Sequence, residues 1–212
     1  MNRLKNFKDY LWWLLYSNRQ KIIRKLLFPD SFYHKRIKNI FEVKTNRIRY
    51  LAGGEPQRKY KLRRTDMDLV LGGDWDFYGN YVEEDLFYLA AKQHFFEKKP
   101  WTTTAFVQNQ LEHKSKIELL KYLKDKTKLF YSMKTNGYQS NKKLNFGFES
   151  SRFIQGWSEI AVHIGKKGDL ILCQGRHRLF YAYLLNIPSV EVNVIVRHKK
   201  WYNTSSNKDL FT

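Results

Sequence analysis

Three short runs near the C-terminus, IAVHI (160–164), LILC (170–173) and VEVNVIVR (190–197), constrain the fold more than any other part of the chain. Each is rich in β-branched residues and has the length of a single strand. Ile160, Val162 and Ile164 alternate with Glu159, Ala161 and His163, and GKKGD (165–169) supplies a turn, so the first two runs read as a hairpin. Gly175 and the apolar stretch Leu179–Leu185 then predict a helix, and Pro188 precedes the third run. In that run Val190, Val192, Val194 and Val196 are expected to face one way, and Glu191, Asn193, Ile195 and Arg197 the other. The predicted order is strand, hairpin, strand, helix, strand.

A chain of 212 residues has room for one domain with a large insertion or for two small ones. With 17% aromatic and 28% charged residues it has a globular composition, not a disordered one. Its net charge of +19 is uneven: residues 1–64 hold 18 Lys or Arg against 4 Asp or Glu, whereas residues 65–100 hold 3 against 8. A basic excess of that kind favours nucleic acid, anionic lipid or a phosphorylated small molecule, without choosing among them.

Cys173 is the single cysteine, which excludes an internal disulfide and points to a reducing, cytoplasmic setting. Its place in LILC predicts a core thiol. The six histidines show neither HxxxH nor HExxH spacing, so no structural zinc is expected. The apolar run YLWWLLY (10–16) falls far short of the roughly 20 residues a span requires. The expectation is a soluble protein or one peripheral to a membrane.

Residues 3–28 have helical spacing, with Leu4, Phe7, Leu11, Leu14, Leu15, Ile22, Leu26 and Leu27 on one side and Arg19, Lys21, Arg24 and Lys25 on the other, up to Pro29. Such a basic arm suits either a membrane interface or packing on its own domain. Residues 32–64 read as a linker with short strands. Glu83–Lys98 predicts a helix with Leu86, Leu89, Ala90 and Phe95 on its core side and Glu83, Glu84 and Asp85 in its first turn. A second helical stretch places Leu119, Leu120, Leu123, Leu129 and Tyr131 among lysines and closes at Gly137. The organisation expected is an arm and linker over 1–64, a domain over 65–200 with a helical insertion at about 83–137, and a tail over 201–212.

Two motifs carry candidate chemistry. In LVLGGDWD a short strand, Leu69–Leu71, enters a paired-glycine turn that presents Asp74 and Asp76. Carboxylates one residue apart project similarly in an extended stretch, so they suit a shared cation or a division of acid and base work, as well as plain turn closure. In QGRHR (174–178) a strand ends in glycine and feeds a helix beginning Arg176, His177, Arg178. The first amides of a helix lack internal partners and carry partial positive charge, so an anion sits there readily. Gly175 permits close backbone approach, Arg178 can fork onto phosphate oxygens, and His177 can donate to an oxyanion or shuttle a proton near neutral pH.

The stretch DLILCQGRHRLFYAYLLNIPSVEVNVIVR, within residues 158–198, resembles the core of the ParB/sulfiredoxin superfamily. That core runs strand, Gly-x-His-Arg or Gly-x-Arg-Arg, helix, Ile-Pro, closing Val-rich strand, and the helix of residues 116–137 is similar to the one preceding it. The resemblance implies an α+β fold: a small mixed sheet of ParB/sulfiredoxin type with a helical insertion and a basic N-terminal helical arm. It implies phosphate binding by Gly175, His177 and Arg178, with a nucleotide (ATP, ADP or CTP) and Mg2+ as cofactors, and Arg176, between them, is expected to join the phosphate site. Arg176 stands where a sulfiredoxin has its reactive cysteine, which turns the expectation away from that activity. No helix-turn-helix is recognisable after the core, which does the same for chromosome partitioning.

The function expected is therefore a nucleotide-dependent phosphotransferase or NTPase, closest in logic to the free serine kinase-like members and acting on a small hydroxyl-bearing acceptor. Asp74, Asp76 and His177 are its candidate catalytic residues, and Asp74 and Asp76 its candidate metal ligands. The alternative is a ParB-like nucleic-acid-binding protein or nuclease. It would use the basic arm with Trp12, Trp13, Phe32, Tyr33, Phe41 and Tyr50 interleaved. The third is attachment of residues 1–64 to an anionic membrane surface.

Overall fold

The computed structural model describes residues 19, 21–33, 40–53, 60, 62, 66–140 and 160–204. Its strands are β1 (Phe32–Tyr33), β2 (Ile40–Lys44), β3 (Tyr50–Ala52), β4 (Leu69–Leu71), β5 (Tyr78–Tyr81), β6 (Ile160–Ile164), β7 (Leu170–Gln174) and β8 (Ser189–His198). The helices are α1 (21–27), α2 (Leu86–Phe96), α3 (Ala105–Leu111), α4 (Lys116–Asn136), α5 (Arg176–Leu184) and α6 (Lys199–Thr204). The fold is α+β, with one mixed eight-stranded sheet in the order β1-β4-β8-β6-β7-β3-β5, and with β2 also paired to β8.

The expected C-terminal unit forms the centre of this sheet. β6 and β7 make the hairpin, with Val162 opposite Leu172 and Ile164 opposite Leu170. After α5 the chain returns in β8, parallel to β6. β8 is long enough for two further partners along its length: β2 runs antiparallel beside Ser189–Asn193, and β4 runs parallel beside Val196–His198. Strands β1, β2 and β3, from the stretch read as a linker, thus belong to the same sheet as the strands beyond residue 64.

Both faces of the central strands are covered, so the period-2 pattern divides residues between two cores instead of between core and solvent. On one face Ile160, Val162, Ile164, Val190, Val192 and Val194 pack with Phe87, Phe130, Phe180 and Tyr181. On the other, Ala161 and Ile195 meet Leu69, Leu71 and Trp75. Val196 departs from the expected alternation and joins this second cluster. Pairing shifts from Val162 opposite Val194 to Ile164 opposite Arg197, an extra residue in β8 that changes its phase.

Helices α2 and α4 form where the spacing predicts, but each is turned from the expected phase, whereas α6 begins before the expected tail and runs into it. The Asp85 carboxylate caps α2 by accepting from the amides of Phe87 (2.8 Å) and Tyr88 (3.4 Å), and it directs Phe87, Ala90 and Ala91 inward. Leu86 and Leu89, expected on the core side, are exposed. A Ser115/Glu118 capping box starts α4, which buries Leu119, Leu123, Phe130 and Met133 and leaves Leu120 and Tyr131 outside. Trp201, at the start of the expected tail, packs into the larger core from α6. Residues 1–18, including Trp12 and Trp13, lie outside the described residues, and no described helix is long and apolar enough to cross a membrane.

Candidate functional site

Gly175 ends β7 and caps α5 in the left-handed conformation (φ 81°, ψ 21°), with no side-chain cap bond. This single residue turns a strand into a helix. Any side chain there costs roughly 1–2 kcal/mol, which explains the glycine. The polar cluster that follows lies between the starts of α2 and α5 and the flank of α4.

Each member of the cluster has a partner elsewhere in the chain. Arg176 donates to Asp85 Oδ2, and its guanidinium carbon lies 5.6 Å from the Phe180 ring centroid. Since Asp85 Oδ1 also caps α2, one carboxylate holds the starts of two helices together. Half of the Arg176 side chain, 50%, remains exposed.

His177 shares a 2.5 Å hydrogen bond with the Tyr122 hydroxyl, and its ring meets Phe87 edge to face at 4.6 Å. Burial first, then the charges of Lys126 and Arg176, push its pKa down to about 3. Burial likewise raises the Tyr122 hydroxyl to about 12, so both partners are neutral at physiological pH. The expected proton shuttle near pH 7 is therefore corrected: His177 offers a neutral imidazole.

Arg178 donates to the Gln139 carbonyl and lies 4.8 Å over the Tyr138 ring, while the Tyr138 hydroxyl donates to the Glu191 carbonyl (2.8 Å). It thereby clamps the segment after α4 onto the core. Lys126, on α4, is half-buried, and burial lowers its pKa. Its ammonium sits 5.0 Å from the centre of the Tyr122 ring, with that of Lys114 at 5.2 Å from the same ring. Among the described residues neither Lys126 nor Lys114 has a carboxylate within ion-pair distance. The cluster is thus cationic, with Asp85 as its counter-charge.

Asp74 and Asp76 are not part of this cluster. They follow β4, and the Lys166 amide donates to Asp76 Oδ2 (2.6 Å) from the β6–β7 turn, which lies at the opposite end of β7 from Gly175. The length of β7 is about 13 Å. One site holding both motifs is therefore corrected: the strand that joins them keeps them apart.

Asp76 is 4% exposed, and Asp74 has an 82% exposed side chain. Lys166 Nζ stands 3.6 Å from Asp74 and 3.8 Å from Asp76, in the position a shared cation would take. Lys166 offsets one of the two negative charges, and Asp76 Oδ1 is buried without a hydrogen-bond partner among the described residues. Among the described residues no group of three or more His, Cys, Asp or Glu side chains is placed to hold a metal. Trp75, fully buried between them, donates to the Leu71 carbonyl (3.0 Å) and anchors the turn.

Sequence reading missed Asp85, Tyr122, Lys126 and Lys166. Asp85 carried a legible capping signal, but nothing local marked its pairing with Arg176. Protein-family models, curated proteins and solved structures were compared with the chain, and none matches it.

The depressed pKa of His177 has a measurable consequence. Between pH 6.5, its ordinary value, and about 3, the unfolded chain binds a proton that the folded chain refuses. Stability from this residue is fully present above pH 6.5 and falls as pH drops through that window. Buried His163, lowered to about 4, acts in the same direction. Urea midpoints are expected to decline from pH 7.5 to 4.5, and to decline less in His177→Gln. An unchanged slope in that variant would mean that His177 ionises freely in the folded protein.

Proposed function

We propose that the start of α5 binds the phosphate groups of a nucleotide, and that the chain acts as a nucleotide-dependent phosphotransferase or NTPase. The observation that carries this reading is the left-handed Gly175 cap, without a side-chain cap bond, beside the half-exposed Arg176 and the Lys126 ammonium, which lies over the Tyr122 ring with no carboxylate in ion-pair reach among the described residues. The amides of a first helical turn, a guanidinium and a partly desolvated ammonium together form a receptor for a polyanion. Phosphoryl transfer depends mainly on positioning and charge neutralisation, and these groups supply both.

In this reading Arg176 and Lys126 contact phosphate oxygens. His177 donates from a neutral ring, and Arg178 holds the surrounding frame. The resemblance to the ParB/sulfiredoxin core supports the same assignment for Gly175, His177 and Arg178.

Melting curves with ATP, ADP, CTP or pyrophosphate, each with magnesium, test the proposal. A ligand at a hundred times its Kd stabilises by about 2.7 kcal/mol, which for a chain of this size raises Tm by roughly 5–11 °C. The Arg176→Ala/Lys126→Ala variant, shown to be folded by circular dichroism, is expected to lose that shift. A shift of the same size in the variant would remove these residues from the site, and no shift with any ligand would refute the reading. Release of inorganic phosphate in the same samples separates enzyme from binder.

A further inference from the structure

Helix α1 is docked the wrong way round for an ordinary amphipathic helix. Arg24 points inward, 5% exposed, where Nε and Nη2 donate to the two carboxylate oxygens of Asp66 at 2.9 Å each, and where it also donates to the Tyr60 carbonyl. Phe28, just past the helix, stacks on Tyr60 at 4.9 Å. At 3.6 residues per turn, Ile22 and Leu26 lie on the side of the helix opposite Arg24. They are 64% and 75% exposed, and Leu27 is 63% exposed. An isolated exposed leucine needs no explanation, but an apolar row turned outward while an arginine is buried does.

The surroundings of that row indicate its partner. Lys21 and Lys25 form the adjacent row, and both are exposed. Together with Ile22, Leu26, Ser31, Phe32 and Tyr33 they line a cleft of about 470 Å3 between α1 and β1. No acidic residue occurs between Asp9 and Asp30, and Arg24, the cation that faces inward, is the one neutralised by Asp66. Apolar side chains protruding beside ammonium groups, in a stretch (10–29) that contains no carboxylate, match a bilayer surface that carries negative headgroups.

We infer that the outer face of α1 is a docking surface for anionic membranes. Ile22 and Leu26 enter the headgroup boundary while Lys21 and Lys25 meet lipid phosphates. The buried Arg24–Asp66 pair fixes the orientation of the helix, so the sheet and the α5 site are held in a set attitude to the membrane. This inference is independent of what the α5 site binds.

Co-sedimentation of the full chain with phosphatidylcholine vesicles, with and without 30 mol% phosphatidylserine, tests it. Binding is expected on the anionic vesicles alone, weakening as salt rises. Ile22→Glu/Leu26→Glu should bind at least about tenfold more weakly, since it removes two apolar side chains from the interface and adds two repelled charges. Lys21→Glu/Lys25→Glu should do likewise. All four positions are exposed, so an unchanged melting curve will show that the variants fold. Undiminished binding by Ile22→Glu/Leu26→Glu, equal binding to neutral vesicles, or no binding by the parent chain would each overturn the inference. So would a dimer in light scattering that the same substitutions dissociate, because a second copy would then cover the face.

Discussion

Replacing Phe87 with alanine is expected to destabilise the protein by about 3–5 kcal/mol, the range for deleting a buried aromatic ring. For a chain of this length that lowers Tm by roughly 6–20 °C. Phe87 is 2% exposed, and its ring contacts Phe106 (5.1 Å, edge-on), Trp101 (5.8 Å) and Tyr181 (6.0 Å) as well as His177 (4.6 Å). The cavity would open at the junction of α2, α3, α4 and α5, where several rigid rings limit collapse. It would also let water reach His177, so the imidazole pKa should rise from about 3 toward its ordinary value. Urea denaturation reads the first effect, and NMR titration of the ring reads the second. A loss below about 1 kcal/mol, with an unshifted histidine, would mean that this junction is not packed as described.

The second large effect concerns the Arg24–Asp66 pair. Asp66→Ala should cost about 3–5 kcal/mol, because it strands a guanidinium whose side chain is 6% exposed. Exchanging both partners for apolar residues, as in Arg24→Met/Asp66→Leu, should cost much less, since no uncompensated charge remains. If Asp66→Ala and the double variant unfold at the same denaturant concentration, α1 is held by something other than this pair. The comparison also bears on the membrane face, for the pair is what keeps Ile22 and Leu26 pointing outward.

The limits of the sequence are instructive at particular residues. The hairpin of β6 and β7, the glycine turn into α5 and the return in β8 were legible because each rests on local signals: β-branched runs, a GKKGD turn and a glycine before a helical stretch. The membership of β2 in the sheet was not. IFEVK has no strong alternation, and its place beside Ser189–Asn193 depends on a partner about 150 residues away. The phase of α2 was misread because Leu86 and Leu89 look like core residues, while the Asp85 cap and Phe87 decide which side faces in. The inversion of α1 was invisible for the same reason: hydropathy predicts Arg24 outside, and distant acceptors, Asp66 42 residues on and the Tyr60 carbonyl, make its burial tolerable.

The candidate site followed the same rule. Gly175 and its cationic neighbours were readable, since a helix start and a left-handed glycine are properties of a few consecutive residues. What surrounds them was not: Asp85 on Arg176, Tyr122 against His177 and Lys126 beside both come from other elements. Nor could spacing reveal that Lys166 would stand between Asp74 and Asp76, or that β7 would separate the two motifs.

The central claim is that the first turn of α5 receives phosphate, and amide NMR of the labelled chain titrated with ATP or pyrophosphate tests it most directly. The account predicts that the backbone amides of Arg176, His177 and Arg178 move first and saturate together, and that the Lys126 side chain moves with them. Saturable shifts confined to other parts of the sheet, or none at millimolar ligand, would contradict it.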